Sequence, residues 1–156
     1  MGTNNAIKTD YSYLVGKDNI GGGKYGVAIG LGNEVTGIAS VALGSWCKTY
    51  KMYGVAIGMG CEADSMSTAI GFHALSLNTK SFSFGNYIKS TGEKSMILGS
   101  GLSSSYLENN NNNSLMIGFN SDKPTFFVSS SSGANTTWQN RHRQRTLPSV
   151  QTTYKG

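Results

Sequence analysis

Gly26-Val27-Ala28-Ile29-Gly30, Ser40-Val41-Ala42-Leu43-Gly44, Gly54-Val55-Ala56-Ile57-Gly58 and Ser67-Thr68-Ala69-Ile70-Gly71 follow one another at steps of fourteen, fourteen and thirteen residues. Looser copies keep the frame on either side: Ser12-Tyr13-Leu14-Val15-Gly16 before them, and Ser81-Phe82-Ser83-Phe84-Gly85, Ser95-Met96-Ile97-Leu98-Gly99 and Ser114-Leu115-Met116-Ile117-Gly118 after. The structural glycines of the repeat are therefore Gly16, Gly30, Gly44, Gly58, Gly71, Gly85, Gly99 and Gly118. A unit of about fourteen residues cannot bury a core alone. Each repeat thus predicts one coil of an all-β solenoid, stacked on its neighbours.

The residue before each ladder glycine is Val, Ile, Leu or Phe, and the β-branched content predicts a short strand there. The Ser or Gly four residues earlier suits a tight corner. Alternation puts Val27 and Ile29 on one face and Ala28 on the other, with no charge at these positions in any copy. Alanine fits the narrow interior of the coil. The opposite apolar face, stacked over about eight coils, would leave a long exposed stripe on a monomer, so further copies of the chain are expected to cover it with cyclic symmetry about the fibre axis. The rest of each coil is more polar, as in Asn33-Glu34-Val35-Thr36-Gly37 and Glu62-Ala63-Asp64-Ser65, and forms the outward wall. At the usual strand spacing of about 4.8 Å, the ladder spans a rod of roughly 34 Å.

The same ladder divides the chain. Residues 1–11 read as a lead-in and 12–108 as β-roll repeats. The step from Gly99 to Gly118 carries five extra residues, assigned to an Asn-rich loop at 109–113. Residues 114–137 read as a last repeat and a short β connection, with Thr125 to Val128 as a final strand and a flexible run from Ser129 to Gly133. Residues 138–156 abandon the pattern as an irregular basic tail.

Composition narrows the function. Only 13% of the 156 residues are charged, and 21 are glycine, which is repeat-like rather than enzyme-like. Of thirteen basic residues, Arg141, Arg143, Arg145 and Lys155 lie in the tail, which leaves nine against eight acids and a nearly neutral repeat body. Nucleic acid is therefore not an expected partner. No apolar run reaches the roughly 20 residues of a membrane helix, and the first residues show neither a signal peptide nor a myristoylation pattern. The reading is either an internal fragment of an exported protein or a part assembled in the cytoplasm, as virion parts are.

The S-x-A-[IL]-G units at fourteen-residue spacing, over residues 12 to 120, resemble the head repeats of YadA-like trimeric autotransporter adhesins. The resemblance implies a left-handed parallel β-roll, an obligate homotrimer, and an outer surface that binds a host surface protein or glycan at the cell exterior. The chain lacks that family's heptad stalk and membrane-anchor barrel. Similar repeats occur in phage tail fibres, which are trimeric and need no signal peptide; a virion tail fibre and a purely structural spacer stay open as alternatives. Back-translated and shifted by one nucleotide, the tail permits a segment resembling the one that follows such repeats in surface and fibre proteins. A frameshift is the corresponding hypothesis for 138–156, beside a genuine basic tail.

No catalytic, metal or cofactor site is expected. Cys47 and Cys61 each stand three residues after a ladder glycine, which predicts that they stack in adjacent coils. The alternatives are a disulfide, half a metal site, or, as preferred, two small buried thiols, because no third ligand completes a zinc set. His73 has no acid-base partner, and no serine sits in a nucleophile elbow. Gly21-Gly22-Gly23-Lys24-Tyr25 has Tyr where a phosphate loop needs Ser or Thr. Asn112-Asn113-Ser114 and Asn135-Thr136-Thr137 match the glycosylation acceptor by chance of an Asn-rich composition. One cluster suggests ligand binding: Trp46, Tyr50 and Tyr53 with Lys48 and Lys51, aromatic and basic side chains of the kind that stack on sugars or meet acidic groups. Packing between coils or protomers is its competing reading.

Overall fold

The computed structural model describes residues 1–120 and 122–129. Among them the chain is all β and forms one sixteen-stranded sheet wound into a parallel solenoid. In chain order, β1 (Gly2–Thr3), β2 (Ala6–Ile7), β3 (Tyr13–Lys17), β4 (Ile20–Gly21), β5 (Val27–Leu31), β6 (Glu34–Val35), β7 (Val41–Ser45) and β8 (Lys48–Thr49) come first. They are followed by β9 (Val55–Met59), β10 (Glu62–Ala63), β11 (Thr68–Ser76), β12 (Phe82–Ser90), β13 (Met96–Ser100), β14 (Leu107–Asn109), β15 (Ser114–Phe119) and β16 (Phe126–Ser129). Each coil has a front wall, the strand that carries the ladder glycine, and a shorter back wall. In β11 and β12 the two walls run on as one nine-residue strand.

Every ladder glycine pairs with the next, from Gly16 opposite Gly30 to Gly99 opposite Gly118. The column begins one rung earlier than the repeats predict. Gly2 pairs with Gly16 and Ala6 with Ile20, so residues 1–11, read as a lead-in, are already wound as a coil. The requirement for glycine is twofold. From Gly16 to Gly99 the ladder φ values lie between +116° and +142°, a region L-residues avoid. A methyl group at any of them would also sit 1.7–2.0 Å from the carbonyl oxygen of the next ladder glycine. The coils stack through the space where side chains would be.

Two residues past every ladder glycine but Gly99 the chain turns a corner in the left-handed region, with φ of 57° at Asp18, 58° at Trp46 and 50° at both His73 and Tyr87; glycine takes the place at Gly32 and Gly60. A second left-handed corner precedes the next front strand, at Tyr25, Ala39, Tyr53, Met66, Lys80 and Lys94. Each such non-glycine corner costs roughly 1–2 kcal/mol locally. Inter-coil hydrogen bonds hold them, as in Trp46 N–H to Leu31 O at 2.8 Å and Tyr53 N–H to Ile38 O at 2.9 Å.

The interior is a narrow column of small side chains. Ala28, Ala42, Ala56 and Ala69 are buried on the front wall, as alternation predicts, and Val35, Thr49 and Ala63 face them from the back. A third column, three residues after the glycines as far as Ile88 and continued past the insertion by Leu107, changes character along the rod: Asn19 and Asn33, then Cys47 and Cys61, then Ala74, Ile88 and Leu107, all buried. In its first half these side chains serve the ladder. Asn19 Nδ2 donates to Gly30 O and Asn33 Nδ2 to Gly44 O, both at 2.9 Å, while Asn33 Oδ1 accepts from Cys47 N–H. Cys47 and Cys61 continue the series with weaker Sγ–H donors, to Gly58 O at 3.3 Å and Gly71 O at 3.1 Å.

Strand register locates the irregular steps and corrects one expectation. Asn86 still pairs with Ser100 at the regular interval, but Ile88 pairs with Leu107 and Ser90 with Asn109. The five extra residues therefore lie between Gly101 and Tyr106, not in the Asn run at 109–113. Asn109 is fully buried at the end of β14, and Asn113 takes the regular second corner with φ 50°. A polar run reads as a loop by composition, yet here its backbone is the ordinary turn of a coil. The thirteen-residue step is a shortened turn at Asp64-Ser65, since Ala63 pairs with Ser76 and the next corner falls at Met66. Beyond β15 the chain reverses: β16 runs antiparallel with Phe126 opposite Ile117 and Ser129 opposite Ser114, and Phe127 packs on the core. Ser129 is thus a strand residue rather than the start of a flexible run. The remainder of that connection and the basic tail at 138–156 lie outside the described residues.

Candidate interaction surfaces

The two outer faces differ in chemistry. On the front wall the outward positions carry Val27 and Ile29, Val41 and Leu43, Val55 and Ile57, Ile70, Phe82 and Phe84, and onward to Leu115 and Ile117, with no charged residue at the two outward positions before the ladder glycine in the front strands β5, β7, β9, β11, β12, β13 and β15. They remain partly open: Ile29 is 39% exposed, Met96 40% and Phe84 51%. This is the stripe that alternation predicts. The back wall carries the charges. Lys48 reaches Glu34 at 3.9 Å, Lys51 reaches Asp64 at 3.1 Å, and Lys89 reaches Glu108 at 3.2 Å, each bridging neighbouring coils.

The residues of the expected ligand cluster occupy one coil but do not converge. Trp46 stands at the first corner and Tyr53 at the second, at opposite ends of the back wall, with Lys48 and Tyr50 outward between them and Lys51 in the turn. The indole lies over Gly32 of the preceding coil, where a Cβ would come within 2.8 Å of the ring. Both lysines are already paired with acids of adjacent coils. The Tyr50 hydroxyl is pushed up to about 12, first by burial, then by its hydrogen bond to Glu62 and the nearby Glu62 and Glu34 carboxylates. Paired lysines and a phenol held neutral beside carboxylates make a poor receptor for an acidic group.

A better-formed concavity lies elsewhere. Beside the five-residue insertion, Phe72, Tyr87, Asn86 and Ser100 from the front strands and corner face Ser103 and Ser104 of the loop across an open groove of about 400 Å³. Aromatic rings of successive coils brace one side of it. His73 stacks on Tyr87 at 5.5 Å and 5°, Phe72 meets both rings edge-on, and Tyr106 closes on Tyr87 at 5.9 Å. The insertion is itself tied by reciprocal backbone hydrogen bonds between Leu102 and Ser105, each 3.0 Å. Sequence reasoning missed this site, although Phe72, His73 and Tyr87 stand one and two residues past their glycines. The ladder spacing sets these residues in adjacent coils, but placing the insertion in the Asn run hid what faces them. A smaller aromatic group lies at the other end, where Tyr11 stacks on Tyr25 at 5.4 Å and the Lys24 ammonium lies over both rings.

The cysteines stack as predicted and are free thiols, both fully buried. The neighbouring Cys61 thiol and burial drive the Cys47 thiol up. Cys47 in turn draws Cys61 down while burial pushes it back. With the Gly71 and Ile57 carbonyl oxygens within 3.3 Å of Cys61 Sγ, the protonated thiol is the form that fits. Among the described residues, no three His, Cys, Asp or Glu side chains converge into a metal-binding group. Compared with known protein families, with curated proteins and with solved structures, the chain matches none.

Proposed function

We propose that this chain is a non-enzymatic segment of a trimeric surface fibre, a left-handed β-roll that three copies build around a shared axis and that presents its outer wall for attachment to a host surface protein or glycan. One observation carries the reading: an uncharged apolar stripe on the front wall of a fold whose other outer face is laced with ion pairs. A monomer in water gains nothing from aligning Leu43, Ile57, Ile70 and Phe84 on one side, whereas burying them between copies stabilises by roughly 25 cal/mol per Å² of apolar area. Three copies close such an assembly through one heterologous contact repeated around a three-fold axis. The number three, the hand of the roll and the place at the cell exterior come from the likeness of the S-x-A-[IL]-G repeats to adhesin heads; a tail fibre would use the same geometry on a virion. Sedimentation equilibrium tests assembly, with a species of three times 16.6 kDa expected. Adherence of the purified chain to cultured epithelial cells and to immobilised matrix proteins tests attachment, and an assembled chain that adheres to neither is a spacer.

A further inference from the structure

We propose that the groove between the aromatic corner at Tyr87 and the 101–106 loop is a binding site for an uncharged saccharide. It deepens the attachment reading by naming a ligand class and a place, the corner edge of the front strands one residue past the ladder glycines and outside the two outward positions that form the apolar stripe, and it differs from the Trp46 to Tyr53 wall suggested by composition. Its 400 Å³ falls within the roughly 300–1,000 Å³ of small-molecule sites.

Three features select a sugar. The first is an aromatic surface fixed before any ligand arrives: Phe72 and Tyr87 line the groove, His73 braces both by stacking and edge contacts, and Tyr106 meets Tyr87 edge-on. Such a surface meets the C–H face of a pyranose with little side-chain entropy left to lose. The second is the rim, where Asn86, Asn120, Ser103 and Ser104 are exposed and supply amide and hydroxyl groups that both donate and accept, as sugar hydroxyls require. The third is charge. Among the described residues no Asp, Glu, Lys or Arg lines the groove, so they offer nothing to a sialic acid, a sulfate or an acidic peptide that would repay its desolvation.

The insertion points the same way. It is the one place where the described coils lengthen rather than repeat, and its residues build one wall of the groove. A lengthened coil that served only to turn the chain would need no Ser103-Ser104 tip facing two braced rings.

The full chain is titrated by isothermal calorimetry with chitotetraose, maltotetraose and lactose, and with sialyllactose as the charged control. At least one neutral sugar is expected to bind, and more tightly than sialyllactose. Phe72→Ala and, separately, the exposed pair Asn86→Ala and Ser103→Ala are expected to weaken that binding by ~10-fold or more, with the solution mass and β-sheet circular dichroism unchanged. The paired variant guards against a Phe72→Ala chain that fails to fold. The proposal is overturned if none of the neutral sugars binds, if the paired variant binds like the parent, or if it changes the solution mass, which would make the groove a contact between copies. Adherence to cells with no groove binding sinks this proposal alone. Groove binding without adherence to cells or matrix sinks the attachment reading alone.

Discussion

At the scale of the residue, the ladder glycines are the least replaceable positions, because conformation and space both forbid a side chain. Gly58→Ala places a methyl group 1.9 Å from the Gly71 carbonyl oxygen at φ +126°, where the three nearest atoms are all Gly71 backbone and none is a flexible side chain that could yield. A loss of about 3 kcal/mol or more is expected in denaturant unfolding. Gly118→Ala, where the nearest atom is a Leu107 methyl carbon at 2.8 Å and φ is not positive, is expected to cost distinctly less. The Asn and Cys column makes a second prediction. Cys47→Asn continues the amide ladder by donating to Gly58 O as Asn33 does to Gly44 O, and should match or exceed the parent by up to about 1 kcal/mol. Cys47→Asp, nearly the same size, sets a carboxylate against the Gly58 and Leu43 carbonyl oxygens and should lose several kcal/mol. Tyr50 supplies a pH test. Its folded-state pKa lies near 12 against an ordinary 10, so above pH 10 the unfolded chain releases a proton that the folded chain keeps. Stability therefore falls from pH 10 toward 12, and Tyr50→Phe should flatten that part of the profile.

At the scale of the element, the 101–106 insertion is separable from the coil that carries it. Removing Leu102 to Tyr106 leaves Gly101 joined to Leu107 and restores the fourteen-residue step, with Gly101 in the corner position that Gly32 and Gly60 already fill as left-handed glycines. The shortened chain is expected to keep its β-sheet spectrum and to melt within a few degrees of the parent, while the groove loses one wall; a collapse of the fold would show that the loop braces the solenoid. This element also marks where sequence reading succeeds and fails. Front strands, their buried alanines and the stacked cysteines are legible because a period of fourteen fixes neighbours without any knowledge of distance. The position of an insertion is not, because the ladder counts extra residues between Gly99 and Gly118 without saying where they leave the column. Composition then pointed to the Asn run, although Asn109 is buried with its Nδ2 donating to Met96 O at 3.0 Å and its Oδ1 accepting from Ser114. The groove followed the same path, for its rings are legible as a column and its opposite wall is not. The Trp46 to Tyr53 stretch shows the converse limit, since nearness in sequence does not reveal that a coil sends its two corners to opposite ends of the back wall.

At the scale of the whole molecule, the front wall decides whether the chain functions alone. Leu43 and Ile57 point outward from the centre of the stripe, on strands whose folding depends on the inward Ala42 and Ala56 and on the glycine ladder. A charge at Leu43 therefore leaves the coil able to form, but in an assembly it brings one carboxylate per copy toward a common apolar axis, where desolvation and mutual repulsion both oppose association. Leu43→Asp is expected to lower the solution mass from three times 16.6 kDa to that of one chain, while circular dichroism still reports β structure. Ile38→Asp is the matched control, because Ile38 is 50% exposed in the turn before β7, outside the strand positions that form the stripe, and its mass should stay that of the parent. A parent that sediments as a monomer, or a Leu43→Asp chain that assembles like the parent, would remove the stripe as an interface and with it the trimeric fibre.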